Sequence, residues 1–192
     1  MRKFIYTIAG LITLLSFSSC GYNTMVDLDE QVQSQWAQVQ NVYKRRADLI
    51  PNLVASVKGA AAHEQQTLTA VIEARAKATA VNVDPTKLTP EAIEKFNQAQ
   101  GQLSTALGRL MMVTENYPQL KANQNFLELQ AQIEGTENRI AVERQKFNEV
   151  TRVYNSKIRS FPNNLTASIF GFEKKGYFQA DPAAQNAPKV EF

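Results

Sequence analysis

Cysteine and histidine are almost missing from this chain, with one of each in 192 residues. A single cysteine cannot close an internal disulfide, and this pair of counts falls short of an ordinary zinc site. The eight glycines and seven prolines are too few for a turn-rich β fold. Neither sign of charge dominates. The formal charge is +3, but Arg2 and Lys3 lie in what reads as a targeting segment, and the rest is nearly balanced. No nucleic-acid partner is expected from such a balance. The sequence holds no GxSxG, P-loop or GxGxxG, no internal repeat and no low-complexity tract, so the usual hydrolase, nucleotide and dinucleotide signatures are absent.

What the chain does have is apolar spacing. From about Leu120 to Ser160, the positions Ala122, Phe126, Leu129, Ile133, Thr136, Ile140, Glu143, Phe147, Val150, Tyr154, Lys157 and Phe161 recur at alternating steps of four and three. That is one face of a helix, close to a bundle seam. Forty residues at ~1.5 Å each predict a rod of roughly 60 Å. Such a rod needs other segments to cover its face. A second stripe begins near Asp27 and runs through Leu28, Val32, Trp36, Val39, Tyr43, Ile50, Leu53, Val57, Ala61, Leu68 and Ile72. Pro51 interrupts it. The stripe keeps its phase across the proline, so a kink is favoured over a reversal; alternatively Asp48 caps a new helix with Pro51 in its first turn. Val81 to Pro85 ends this region. Thr89-Pro90-Glu91 reads as an N-cap, a first-position proline and a first-turn acid. Ile93, Phe96, Leu103, Leu107 and Leu110 mark the next buried face, which stops near Asn116-Tyr117-Pro118. The expectation is an all-α, antiparallel up-and-down bundle of three to four long helices, with a mostly irregular C-terminal tail.

The predicted domains are a lipoprotein-type signal at 1–19, anchor and spacer at 20–26, the bundle at 27–162 and a packed tail at 163–192. Arg2 and Lys3, the apolar run Phe4 to Leu15 and then small residues give the layout of a secretory signal. The run is short for a stable transmembrane helix. Ser18-Ser19-Cys20 resembles a bacterial lipobox, with Phe17 in place of the usual leucine. Cleavage is expected between Ser19 and Cys20, with lipid attached to Cys20; an uncleaved helix is the alternative. Both place residues 21–192 outside the cytoplasm, on the cell membrane or the outer membrane. Gly21 is not the aspartate associated with inner-membrane retention. In the tail, a short helical turn from Leu165 to Phe170 closed by Gly171 is expected. The aromatics Phe172, Tyr177, Phe178 and Phe192 argue that the tail lies along the bundle.

Few residues carry chemistry. His63-Glu64 opens like HExxH but lacks the second histidine. Glu134 and Glu137, beside Asn138 and Arg139, form a candidate carboxylate cluster for a metal or an acid–base pair. Arg45, Arg46, Arg139 and Arg144 supply counter-ions, which favours a structural polar network. Its expected members are Arg45, Arg46, Asp48, Glu137, Arg139 and Glu143. Glu143, on the apolar face with Thr136, is expected to meet Arg45 or Arg46 and set helix register. Tyr22, Trp36 and Tyr43 can stack on ligands, but Trp36 and Tyr43 share the apolar stripe and are expected in the core. Asn164-Leu165-Thr166 is a glycosylation sequon with little meaning in a bacterial chain.

Several blocks in order, RRADLIPNLVASVKG at 45–59, HEQQTL at 63–68, ENYPQLKANQNFLELQAQIEGTENRI at 115–140, YNSKIRSFP at 154–162 and the terminal APKVEF, resemble the LemA family. The resemblance implies a membrane-anchored, up-and-down helical bundle without an established enzymatic activity or cofactor. Family members commonly use an uncleaved helix, so Cys20 is a departure. The expected function is a non-enzymatic interaction or accessory scaffold in the cell envelope. Its partners would be the membrane and an unidentified envelope protein, with self-association possible. The alternatives are a metal-binding or cell-wall-polymer-binding bundle, or an enzyme using Glu134 and Glu137.

Overall fold

A computed structural model of the chain describes residues 2–60 and 64–179, with side chains described for 21–59 and 64–179. Six helices follow in order: α1 (Arg2–Ala60), α2 (Gln65–Ala80), α3 (Pro90–Thr114), α4 (Pro118–Lys121), α5 (Gln124–Arg159) and α6 (Asn163–Phe170). Among the described residues there is no strand, and the fold is an all-α bundle. The pairings fix its directions. Gln35 of α1 reaches Glu143 of α5 and Arg46 reaches Glu137, so these two helices run antiparallel. Arg75 of α2 donates to the Ala47 carbonyl and Gln40 to that of Val83, which sets α2 antiparallel to α1. Glu64 meets Tyr117, and Gln100 meets Ala78, which sets α3 against α2.

Local signals start and stop these helices. The Thr89 hydroxyl accepts from the Ala92 N–H at 3.2 Å, with Pro90 at the first helical position; both satisfy the orphaned first turn. The Asn123 side chain accepts from the N–H groups of Asn125 and Phe126 and starts α5. Gly171, at φ 74°, closes α6 in the left-handed region that glycine enters without a Cβ clash.

The favoured reading of Pro51 holds, and other expectations shift. Helix α1 passes through Pro51 without reversing, because Ile50, Leu53 and Val57 stay buried on one face. The first stripe loses phase after residue 60: Val71 is buried and Ile72 is 53% exposed, since α2 restarts at Gln65. Residues 21–26, expected as spacer, are helical, and Met25 is fully buried in the core. The long rod begins at Gln124, after the separate turn of α4, and its 36 residues span about 54 Å. Phe161 lies past its end and is 81% exposed instead of on the seam.

The core has two parts. The distal part packs Ile50, Leu53, Val57, Leu68, Val71, Leu103, Leu110, Phe126 and Ile133 from α1, α2, α3 and α5. The proximal part, toward Gly21, packs Met25, Val32, Trp36, Phe96, Phe147, Tyr154 and Phe178. Helix α2 does not extend there. Residues 172–179, which have no regular secondary structure, fill its place as a strap. Phe178 sits among Trp36, Phe96 and Phe147, with ring centroids 6.0, 6.3 and 5.4 Å away.

Candidate functional site

Where the two core parts meet, all four long helices contribute polar groups. Arg46 of α1 is 1% exposed. One terminal nitrogen donates to Glu137 Oε1 at 2.6 Å and to Ser104 Oγ at 2.8 Å. The other donates to Gln100 Oε1 at 2.6 Å and to the Gln100 carbonyl at 3.3 Å. Gln100, itself buried, passes its amide on to the Ala78 carbonyl of α2. The guanidinium also lies 5.1 Å from the Tyr43 ring centroid. A buried cation of this kind persists only when paired and hydrogen-bonded, and here it is. Its Nε alone lacks a partner.

This layer floors a cleft of about 390 Å³ between α3 and α5, edged by Glu94, Asn97, Gln98, Thr105 and Arg144. Burial raises the Tyr43 hydroxyl above its ordinary range, while the Arg144 and Arg46 charges pull it back. The chemistry offered is recognition: amides, hydroxyls and fixed charge around a guanidinium already held by a carboxylate.

A second, open groove of about 950 Å³ runs along the other side of the α1–α5 pair. Lys44, Arg45, Arg139 and Lys146 line it with Asp48 and Glu143. The six residues expected to form one network are therefore divided. Arg46 and Glu137 belong to the cleft; Arg45, Asp48, Arg139 and Glu143 belong to the groove. Glu143 does not meet Arg45 or Arg46. Its carboxylate accepts from Gln35 at 2.7 Å and pairs with Lys146 at 3.0 Å, and the Lys146 and Gln35 hydrogen bonds hold its carboxyl below the usual glutamate range. The cause is angular: successive helical residues lie ~100° apart, so Arg45 turns outward where Arg46 turns in. Glu134 and Glu137 likewise take different partners, Gln130 for the exposed Glu134 and Arg46 for Glu137. Among the described residues, no three His, Cys, Asp or Glu side chains converge as metal ligands would.

Trp36 and Tyr43 lie in the core, while Tyr22 is 37% exposed at the proximal end. Glu64 accepts from the Tyr117 hydroxyl at 3.0 Å. The side chains of Ser19 and Cys20, and His63, lie outside the described residues.

Gln100, Ser104, Asn148 and Asn155 were not singled out by sequence reasoning. The first had a signal: the apolar spacing of α1 skips from Tyr43 to Ile50, that of α3 from Phe96 to Leu103, and Arg46 and Gln100 fill those vacancies. The asparagines act on the strap. Asn155 exchanges two hydrogen bonds with the Lys175 backbone, both 2.9 Å, and Asn148 does the same with Phe178 at 2.8 Å. Each side-chain amide stands in for a neighbouring backbone. The Tyr154 hydroxyl donates to the Glu173 carbonyl and is pushed up by burial, with Asp29 and Glu173 acting the same way. Lys175, almost fully buried, pairs with Asp29 at 2.6 Å.

The sequence profile of the LemA family matches residues 35–192. The chain is similar to magnetosome protein MamQ 2 of Paramagnetospirillum magneticum, 26% identical over 200 residues, covering 93% of this chain and 72% of that one. It is similar to magnetosome protein MamQ of Magnetospirillum gryphiswaldense, 26% identical over 198 residues, covering 92% and 71%. Protein LemA of Metamycoplasma hominis is 25% identical over 183 residues, covering 94% and 80%.

Proposed function

This chain belongs to the LemA family, and on that premise we propose that it is a membrane-anchored, non-enzymatic interaction scaffold of the bacterial envelope. The observation that carries the reading is the continuity of α1, one helix from Arg2 to Ala60. The helix already runs at Gly21 and Met25 is already in the core, so the residues directly after Cys20 are part of the bundle. The anchor is lipid on Cys20, and residues 21–192 stand outside the cytoplasm. Among the described residues, no helix is long and apolar enough to cross a membrane. The partner is an envelope protein that docks in the α1–α5 groove, whose four cations outnumber its two carboxylates. The polar groups of the cleft, by contrast, hold one another.

Photo-crosslinking in living cells from Gln38 or Asn138, on the two walls of the groove, tests the scaffold role. A discrete protein adduct that disappears with Arg139→Glu is expected; an adduct pattern indifferent to that reversal overturns the groove as the docking site. Mass spectrometry of the N-terminus tests the anchor. The expected species starts at acylated Cys20, and retention of Met1 overturns it.

A further inference from the structure

The proximal end of the bundle presents a group of largely exposed apolar side chains. Phe161 is 81% exposed, Ile169 78%, Phe170 61% and Leu165 58%. In α6 only Ala167 is buried against the bundle. Leu165 and Ile169, four apart in α6, share one side of it, and Phe161 lies in the turn just before it. Elsewhere the exposed apolar residues, such as Ile72, Met112 and Val142, are scattered singly, as on any soluble surface.

The position of α6 identifies its occupant. The Tyr22 ring lies 4.8 Å from that of Phe170 and 5.7 Å from that of Phe172. A Cβ on Gly21 would come within 2.6 Å of Asn163 Oδ1. Helix α6 therefore sits beside the residues that follow Cys20. Because Gly21 is already helical, no slack separates bundle from anchor. Either anchor, lipid on Cys20 or the apolar run itself, holds this end within about one helix diameter, ~10 Å, of the bilayer surface. Charge agrees: from 157 to 174, Lys157, Arg159 and Lys174 outnumber Glu173, and basic residues favour anionic headgroups. The strap leads away from this end, toward Phe178 in mid-bundle.

We propose that α6 and Phe161 form a lipid-contacting foot: the Phe161, Leu165, Ile169 and Phe170 side chains enter the headgroup–acyl boundary and fix the bundle's tilt on the membrane. Apolar side chains flanked by cations suit this interface. The inference rests on the anchoring reading above. The test uses the full chain in phosphatidylethanolamine–phosphatidylglycerol vesicles carrying a spin label high on the acyl chain. Ile169→Trp and Leu165→Trp are compared with Met112→Trp; the native Trp36 is fully buried and gives a constant background. A label ~5–10 Å below the headgroups should quench the added tryptophan at 169 and 165 about two-fold more than at 112. Flotation of the same vesicles reads the anchor separately. Protein that floats with equal quenching at all three positions overturns the foot alone. Emission from Ile169→Trp that is blue-shifted but unquenched means that a protein or a second copy covers α6, and also overturns it. Protein that does not float overturns both the anchor and the foot.

Discussion

The two parts of the core solve the same problem with different materials. Distally, four helices surround mostly aliphatic side chains, and a helical wall bonds its own backbone. Proximally, α2 is missing and the fourth wall is a strap of irregular chain. A strap cannot satisfy its own backbone, so α5 supplies asparagine amides for Lys175 and Phe178. It also brings fewer apolar side chains than a helix, so one phenylalanine must reach three aromatic neighbours. Covering a core with irregular chain thus demands side chains that imitate main chain, and rings large enough to close the gap.

The comparison can be broken first at its aromatic centre. Trp36→Ala should cost about 3–5 kcal/mol in denaturant unfolding and strip hydrogen-exchange protection mainly from the proximal part. Leu103→Ala, in the distal part, should cost about 2–5 kcal/mol with the opposite pattern. Next comes the layer between them. Arg46→Met should cost about 3 kcal/mol by leaving Glu137, Gln100 and Ser104 without their donor, and adding Glu137→Leu should recover much of it. Asn155→Ala should cost about 1–3 kcal/mol by orphaning the buried Lys175 backbone groups. Exchange at 172–179 should rise while the distal helices stay protected. Thr89→Ala removes a cap and should cost about 1 kcal/mol, visible as fraying of the first turn of α3. The smallest effect is electrostatic. The Glu143 carboxyl, held down by Lys146 and Gln35, should titrate below the ordinary value of about 4.3. With the folded value below the unfolded one, its stabilisation is present above the unfolded value and is lost as pH falls through the folded one. Carboxyl NMR should show the titration moving up in Lys146→Ala.

The helices were legible because burial writes itself into spacing. Trp36, Tyr43, Phe126, Ile133, Ile140, Phe147 and Tyr154 were all placed on the correct faces, and Thr89-Pro90-Glu91 marked a start that its cap geometry bears out. The gap between α1 and α2 was not legible, since alanine-rich sequence on both sides favours helix throughout. The choice of Arg46 over Arg45 was written in the spacing, since position 46 fills the step between Tyr43 and Ile50 on the buried face, but charge alone does not tell two adjacent arginines apart. The strap was legible only as a composition too aromatic to float free. Its partners Asn148 and Asn155 look like ordinary polar residues, because a side-chain amide that mimics backbone has no signature in a single sequence.

Gly176 ties these observations to the life of the chain. Its N–H donates to the Leu88 carbonyl at 2.8 Å, and a Cβ there would meet Pro90 Cα at 2.7 Å, so the strap locks only onto a finished α3. The chain emerges from its N-terminus onward, which makes the proximal part the first begun and the last to close. Until the ribosome has delivered Phe178, Trp36, Phe96 and Phe147 lack the ring that closes over them. A nascent chain halted before that point would display an open aromatic trough.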